Sequence, residues 1–163
     1  MQASQEKKTY FRKAQPQDCE LVFAFIQKLA AYEKMTQDVV ATPELLREWL
    51  FEKKTAEVIF LCDAEREVGF ALFFENFSTF VGRGGLYLED LFVLPEERGK
   101  GYGKALFQEL ARIAVQRGYG RMEWSCLDWN TPSIGFYRRM GAVPMDEWTV
   151  YRLAGDTLRA AAE

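Results

Sequence analysis

The residue types and spacings most suggestive of chemistry lie in a glycine-rich turn. Arg98-Gly99-Lys100-Gly101-Tyr102-Gly103 follows an apolar run and precedes an amphipathic one, where free backbone N–H groups and a helix dipole would face a bound anion. Glycine lets the backbone approach a phosphate and take positive φ, while Arg98, Lys100 and Lys104 add positive charge. The turn is a candidate pyrophosphate cradle. It lacks the GxxxxGK[ST] spacing of a nucleoside-triphosphate loop, and the hairpins before it do not make the βαβ unit of a dinucleotide fold. Taken alone, such a turn is also compatible with an ordinary tight connection. A second signal is Glu89-Asp90, two acids interrupting the apolar stretch Tyr87-Leu88-Glu89-Asp90-Leu91-Phe92-Val93. At least one carboxylate must project from a sheet face that ought to be buried, where ionisation is costly unless the group is paired or lines a wet cleft. A structural salt bridge or a place at a sheet edge would satisfy it equally.

Histidine is absent, which removes every mechanism that needs an imidazole base or ligand, including Ser-His-Asp and Cys-His triads and histidine-containing metal sites. Proton transfer must then use carboxylates, tyrosine, cysteine, lysine, backbone or water. Cys19, Cys62 and Cys126 lack CxxC spacing and read as reduced packing residues, and no metal site is expected. The 21 basic residues against 24 acidic ones give a net charge of −3, which offers polyphosphate and anionic membranes no global attraction. Neither a nucleic acid nor a membrane is expected as a partner. Residues 1–8 are polar without a signal-peptide core, and no run approaches the roughly 18 apolar residues of a membrane span, so the protein is expected in the cytoplasm.

A length of 163 residues, 48% of them hydrophobic, fits one domain, with a core over about residues 9–153, a polar N-terminal tail and a short C-terminal tail. Neither a repeat nor a Gly/Ser/Pro-rich linker marks a boundary. A short extended stretch at residues 9–13 precedes a helix carrying Leu21, Val22, Phe25, Ile26 and Leu29 and ending near Tyr32. Thr42-Pro43 signals a second helix start, with Leu45, Leu46, Trp49 and Leu50 as its buried stripe. The period then changes: residues 58–62 and 68–74 read as a hairpin, and residues 86–93 as a third strand. After the glycine turn comes a helix with Ala105, Leu106, Leu110, Ile113 and Ala114 on one side, stopped at Gly118. Residues 122–127 read as a strand, Thr131-Pro132 as the cap of a short helix stopped by Gly141, and residues 148–153 as a last strand. This order predicts a mixed α/β sandwich distinct from a doubly wound fold.

With Arg98, Gly101 and Gly103 filling the pattern R/Q-x-x-G-x-G/A after a strand, the sequence resembles the GNAT superfamily of N-acetyltransferases. Tyr87 to Val93, Asp128-Trp129-Asn130-Thr131-Pro132-Ser133, Phe136-Tyr137, Gly141-Ala142 and Leu29-Ala30-Ala31-Tyr32-Glu33 resemble its diamine (spermidine/spermine) acetyltransferase branch. The match runs from Tyr10 to Leu153. It implies a largely antiparallel central sheet with helices on both faces, acetyl-CoA as co-substrate, and a homodimer to which exposed Phe77, Phe80 and Trp148 could contribute.

Acetyl transfer to an amine needs a neutral nucleophile, a polarised carbonyl and a proton for the departing thiolate. By resemblance, Glu89 stands near the acceptor amine, binding the cation or accepting its proton. Tyr137 is the implied general acid toward the coenzyme sulfur, since a phenol with an ordinary pKa of about 10 is protonated at neutral pH. Backbone amides at Leu91, Phe92 and Val93 are the implied partners of the acetyl carbonyl and pantetheine arm, which requires the strand to splay or bulge there. The turn from Arg98 through Gly99, Lys100, Gly101, Tyr102, Gly103 and Lys104 would hold the pyrophosphate, with Asn130 and Ser133 on the coenzyme arm. Asn130 could equally cap the helix that follows it. Tyr32, Glu33, Glu89 and Glu147 would line an acidic acceptor site, with Asp128 and Asp146 also available. The implied activity is acetyl transfer to a primary amine of a diamine, polyamine or lysine analogue. A protein or peptide acetyltransferase, and a non-catalytic acyl-CoA sensor, are the alternatives.

Overall fold

A computed structural model describes residues 9–163, which fall into two compact units, the first ending at Ser125 and the second spanning Cys126–Glu163. In the first, β1 (Thr9–Lys13), α1 (Cys19–Tyr32) and α2 (Pro43–Leu46) precede the strands β2 (Glu57–Asp63), β3 (Arg66–Ser78) and β4 (Arg83–Val93). Then come α3 (Tyr102–Gln116) and β5 (Met122–Trp124). The strands lie side by side in chain order, all antiparallel except β5, which runs parallel to β4. This is the mixed, largely antiparallel sheet expected, with helices on both faces.

Alternation along the strands builds two cores. Ile59, Leu61, Ala71, Phe73, Leu86 and Leu88 meet Leu106, Leu110 and Ala114 of α3. Val58, Phe60, Phe70, Leu72 and Phe92 meet Val22, Phe25 and Leu29 of α1, and Phe25 stacks on Phe70 with centroids 5.0 Å apart. Gly69 permits the close seating of α3, because a Cβ there would come within 3.0 Å of Leu106 Cδ1 and of the Phe92 carbonyl oxygen. Arg12 ties β1 to the start of α1 and to the β2–β3 hairpin, reaching Asp18 at 2.8 Å and Glu67 at 2.7 Å. Its hydrogen bonds hold the Asp18 carboxyl below the ordinary range.

Thr42 caps α2 as expected, its Oγ1 accepting the Leu45 N–H at 3.2 Å. The proposed stripe needs correction: Leu45 and Trp49 are 44% and 47% exposed, whereas Leu46, Leu50 and Phe51 pack on the α1-side core. The helix widens into π geometry over Arg47–Glu52, which brings Phe51 onto the same side as Leu46, five residues before it.

The second unit contains α4 (Thr131–Arg139) and α5 (Gly155–Ala160). Its first helix is capped one residue earlier than the Thr131-Pro132 signal, by Asn130, whose side chain accepts the Ser133 N–H at 3.4 Å. β5 stops at Trp124 and does not extend to residue 127. Residues 148–153 form no strand, and Trp148, Val150 and Tyr151 are 75%, 80% and 92% exposed. Their β-prone composition sets a preference, but a strand exists only where a neighbour takes its hydrogen bonds. The C-terminal tail instead holds α5, which composition did not announce.

Candidate active site

The site grows from an irregularity in β4. Leu72 pairs with Asp90 but Phe73 pairs with Leu88, so Glu89 is an extra residue bulged out of the β3–β4 ladder. The bulge reverses the alternation of faces. Before it Leu86 and Leu88 face α3; beyond it Leu91 and Val93 do so, which turns Asp90 and Phe92 toward α1. An acid that would otherwise sit in the α3-side core is thereby moved to the side where α1 ends. The sequence asks β4 to splay or bulge from its neighbour at residues 91–93, and its pairing with β5 does end before them, at Leu88, whereas the β3 side stays paired. There Leu91, Phe92 and Val93 keep their pairs Ala71, Phe70 and Gly69, and the bulge lies earlier, where the two acids stand.

The other edge of β4 opens at the same place. β5 pairs with Leu86, Tyr87 and Leu88, and its register ends where Leu88 meets Trp124. The Leu94 N–H turns toward β3, bonding the Val68 carbonyl at 2.9 Å, so by alternation the Leu91 and Val93 amides point to the edge beyond the end of β5. Arg98 marks that edge, its Nε donating to the Val93 carbonyl at 3.4 Å.

Three carboxyl groups interact beside it. Glu33 caps the C-terminus of α1, next to Tyr32, whose ring lies 6.3 Å from that of Phe92. Burial, and then the charge of Glu89, push the Glu33 carboxyl up. Asp90 is affected most: burial, then Glu89, then Glu33, raise it from 3.8 to about 7. Such a group exchanges a proton at neutral pH, and the cluster's charge favours a cation. The sequence singled out Glu89 of this pair; the bulge is what turns Asp90 toward Glu33.

The glycine turn lies at the same end of β4. Gly99 and Gly101 have φ of +80° and +83°, values that β-branched residues rarely adopt, and Gly101 directly precedes the 15-residue α3. A Cβ on Gly101 would touch nothing within 4 Å, so the space in front of the turn is open and a side chain's cost there is conformational. The guanidinium of Arg98 lies 4.7 Å over the Tyr32 ring and 5.3 Å from the centre of Phe92, joining the turn to the end of α1. Lys104 is exposed in the first turn of α3, Gly103 packs loosely near Val93, and Lys100 reaches Glu97 at 2.5 Å. The Tyr102 hydroxyl donates to Asp63, and this bond, with burial, pushes the phenol up to about 12.

The first unit therefore gathers Tyr32, Glu33, Glu89, Asp90, Leu91, Phe92, Val93 and residues 98–104. Asn130, Ser133, Tyr137 and Glu147 belong to the second unit. There Asn130 caps α4, Tyr137 lies on that helix with its ring 5.6 Å from Phe136, and Glu147 is exposed.

An open strand edge, a left-handed glycine turn and a helix N-terminus together fit an extended ligand carrying phosphates, as the implied coenzyme is. Residues 22–142, which contain all of these features, match the Acetyltransferase (GNAT) family. The chain is 32% identical to L-ornithine N5-acetyltransferase NATA1 of Arabidopsis thaliana, over 91% of this chain and 86% of that protein. It is also 32% identical to thialysine N-epsilon-acetyltransferase of Bos taurus, over 93% and 95% of the two chains. Among solved structures, an integron cassette protein from the mobile metagenome of V. cholerae superposes with a TM-score of 0.78 at 29% identity, covering 95% of this chain and 98% of its own. With this match over most of its length and these relatives at 32% identity, the chain belongs to the GNAT family of N-acetyltransferases.

Proposed function

We propose that the protein transfers an acetyl group from acetyl-CoA directly to a primary amine of a small cationic acceptor, a diamine, polyamine or lysine analogue. The observation that carries this reading is the interacting group of Glu33, Glu89 and Asp90 beside the open edge of β4. Ornithine and thialysine, named in the relatives, each present a primary amine on a short chain. In this reading the glycine turn and Lys104 hold the phosphates, the Leu91 and Val93 amides hold the pantetheine arm and polarise the carbonyl, and Asn130 and Ser133 bind the same arm. The coenzyme supplies an acetyl thioester.

Tyr32, Glu33, Glu89 and Glu147 draw in the acceptor's cationic groups. An ammonium is no nucleophile until it loses a proton, and the coupled Glu89–Asp90 pair receives it, Asp90 being the member held near neutral pH. The free amine forms the C–N bond, the C–S bond breaks as Tyr137 donates its phenolic proton to the leaving thiolate, and the second proton, shed by the acetylated nitrogen, passes through water to restore the Tyr137 phenol. The reading treats residues 1–163 as one N-acetyltransferase domain, working in the cytoplasm as a homodimer. Phe77, Phe80 and Trp148, exposed by 65%, 98% and 75%, would supply apolar surface to the dimer.

Coenzyme release from acetyl-CoA, measured against putrescine, spermidine, spermine, lysine, thialysine, ornithine and a lysine-containing peptide, tests the proposal. One of the small amines should turn over, and Tyr137→Phe should slow it by roughly ten- to ten-thousand-fold with coenzyme affinity retained. Unchanged turnover in Tyr137→Phe removes that residue from the acid's role, and turnover on the peptide alone replaces the acceptor class.

A further inference from the structure

The glycine turn is gripped by a part of the chain that the proposed chemistry does not use. Lys100 stands between two left-handed glycines, and at neither glycine would a Cβ meet another atom, so packing does not hold this stretch of backbone. A carboxylate does. Glu97 is buried, with a side-chain exposure of 11%, and each of its oxygens is taken by a different cation. Oε2 accepts from Lys100 Nζ at 2.5 Å, and Oε1 from Arg66 Nη1 at 2.8 Å. Arg66 extends its other branch to Glu96 at 2.7 Å. Arg66 opens β3, directly after the hairpin turn from β2, and the last residue of β2, Asp63, accepts the Tyr102 hydroxyl bond. The tip of one hairpin thus holds the glycine turn on both sides of Gly101.

We infer that Arg66 and Glu97 are positioning residues for coenzyme binding, Arg66 orienting the Glu97 carboxylate and Glu97 fixing Lys100 and the glycine-flanked backbone in the shape that receives the phosphates. The inference rests on the coenzyme reading of this turn. A lysine on a flexible four-carbon stem, in a segment with two permissive glycines, must otherwise be ordered when the ligand arrives, and that entropy is subtracted from affinity. Electrostatics alone predicts the reverse. Removing a negative charge next to a phosphate site should tighten binding, so the sign of the effect separates positioning from simple charge.

The test is calorimetric titration of coenzyme A into the full chain and its Glu97→Gln, Arg66→Gln and doubly substituted forms, with thermal unfolding as a folding control. Glu97→Gln should weaken binding by about three- to ten-fold, despite the lost negative charge. Arg66→Gln should weaken it by about two- to three-fold alone and add nothing in the Glu97→Gln background, since its effect passes through Glu97. In turnover, KM for acetyl-CoA should rise by the same factors with kcat nearly constant. Tighter or unchanged binding in Glu97→Gln overturns the inference, as does an Arg66→Gln effect of equal size in both backgrounds. If Glu97→Gln does not fold, the half-exposed Arg66 carries the test, and unchanged binding in Arg66→Gln overturns it. Failure of the unsubstituted protein to bind coenzyme A would instead overturn the reading of the turn itself.

Discussion

The two units of the chain use similar residues to opposite ends. In the first, large apolar side chains recur with strand or helix period and meet across the sheet, so that Phe60, Phe70, Leu86, Leu106 and Leu110 are wholly enclosed. In the second, α4 encloses none of its residues, and Val143, Met145, Trp148, Val150, Tyr151 and Leu153 are all largely exposed. Hydrophobicity is therefore a demand for a partner, and the first unit meets it by pairing segments on the two faces of one sheet. The proposed roles divide along the same line: the coenzyme turn and carboxyl cluster rest on the cored sheet, whereas Tyr137 lies on a helix of the other unit.

The sharpest test of this contrast is in the core. Phe70→Ala, which removes a fully enclosed ring stacked on Phe25, should cost about 3–5 kcal/mol in denaturant unfolding. A loss below about 1 kcal/mol would show that the α1-side core is not packed as described. Asp90 should move stability the other way. Its carboxyl rises from 3.8 to about 7 on folding, so between those values the folded chain holds a proton that the unfolded chain has released. Stability then falls as pH rises from 3.8 to about 7 and levels off above. Asp90→Asn should abolish that slope and raise stability at pH 8 by roughly 1–3 kcal/mol, while removing the limb near neutral pH from the kcat/KM profile. A variant whose pH profile keeps the limb assigns the proton to another group.

Smaller effects complete the comparison. Thr42→Ala, which deletes a cap on the first unit, should cost about 1 kcal/mol, and no loss would mean that the bond to Leu45 contributes nothing in solution. Trp148→Ala should change stability by no more than about 0.5 kcal/mol in a dilute monomeric sample. A cost that appears only as protein concentration increases would show that a second copy covers this surface, as the proposed homodimer requires.

Much of the first unit was legible because its signals are local. The helix at Cys19–Tyr32, the hairpin of Glu57–Asp63 with Arg66–Ser78, and the left-handed stop at Gly118 follow from period, turn residues and steric freedom. Errors arose wherever the outcome depended on neighbours. Leu45 and Trp49 stayed exposed while Phe51 of the π-helical Arg47–Glu52 was packed instead, and residues 148–153 found no strand to pair with. At the site, the sequence announced two acids in an apolar strand and a glycine-rich cradle, but not the bulge that sorts the acids.

By itself, then, the sequence determined the family, the order of most elements, the absence of imidazole chemistry and the residues from which a site could be made. These depend on residue type and short-range spacing, which the chain carries explicitly. Tertiary structure alone decided that Asp90 faces the end of α1 with a carboxyl near neutrality, that β5 leaves the Leu91 and Val93 amides at an open edge, and that Arg66 reaches the glycine turn through Glu97. Each depends on groups brought together from distant segments, where burial and neighbouring charge, more than residue identity, set the free energy of ionisation and contact.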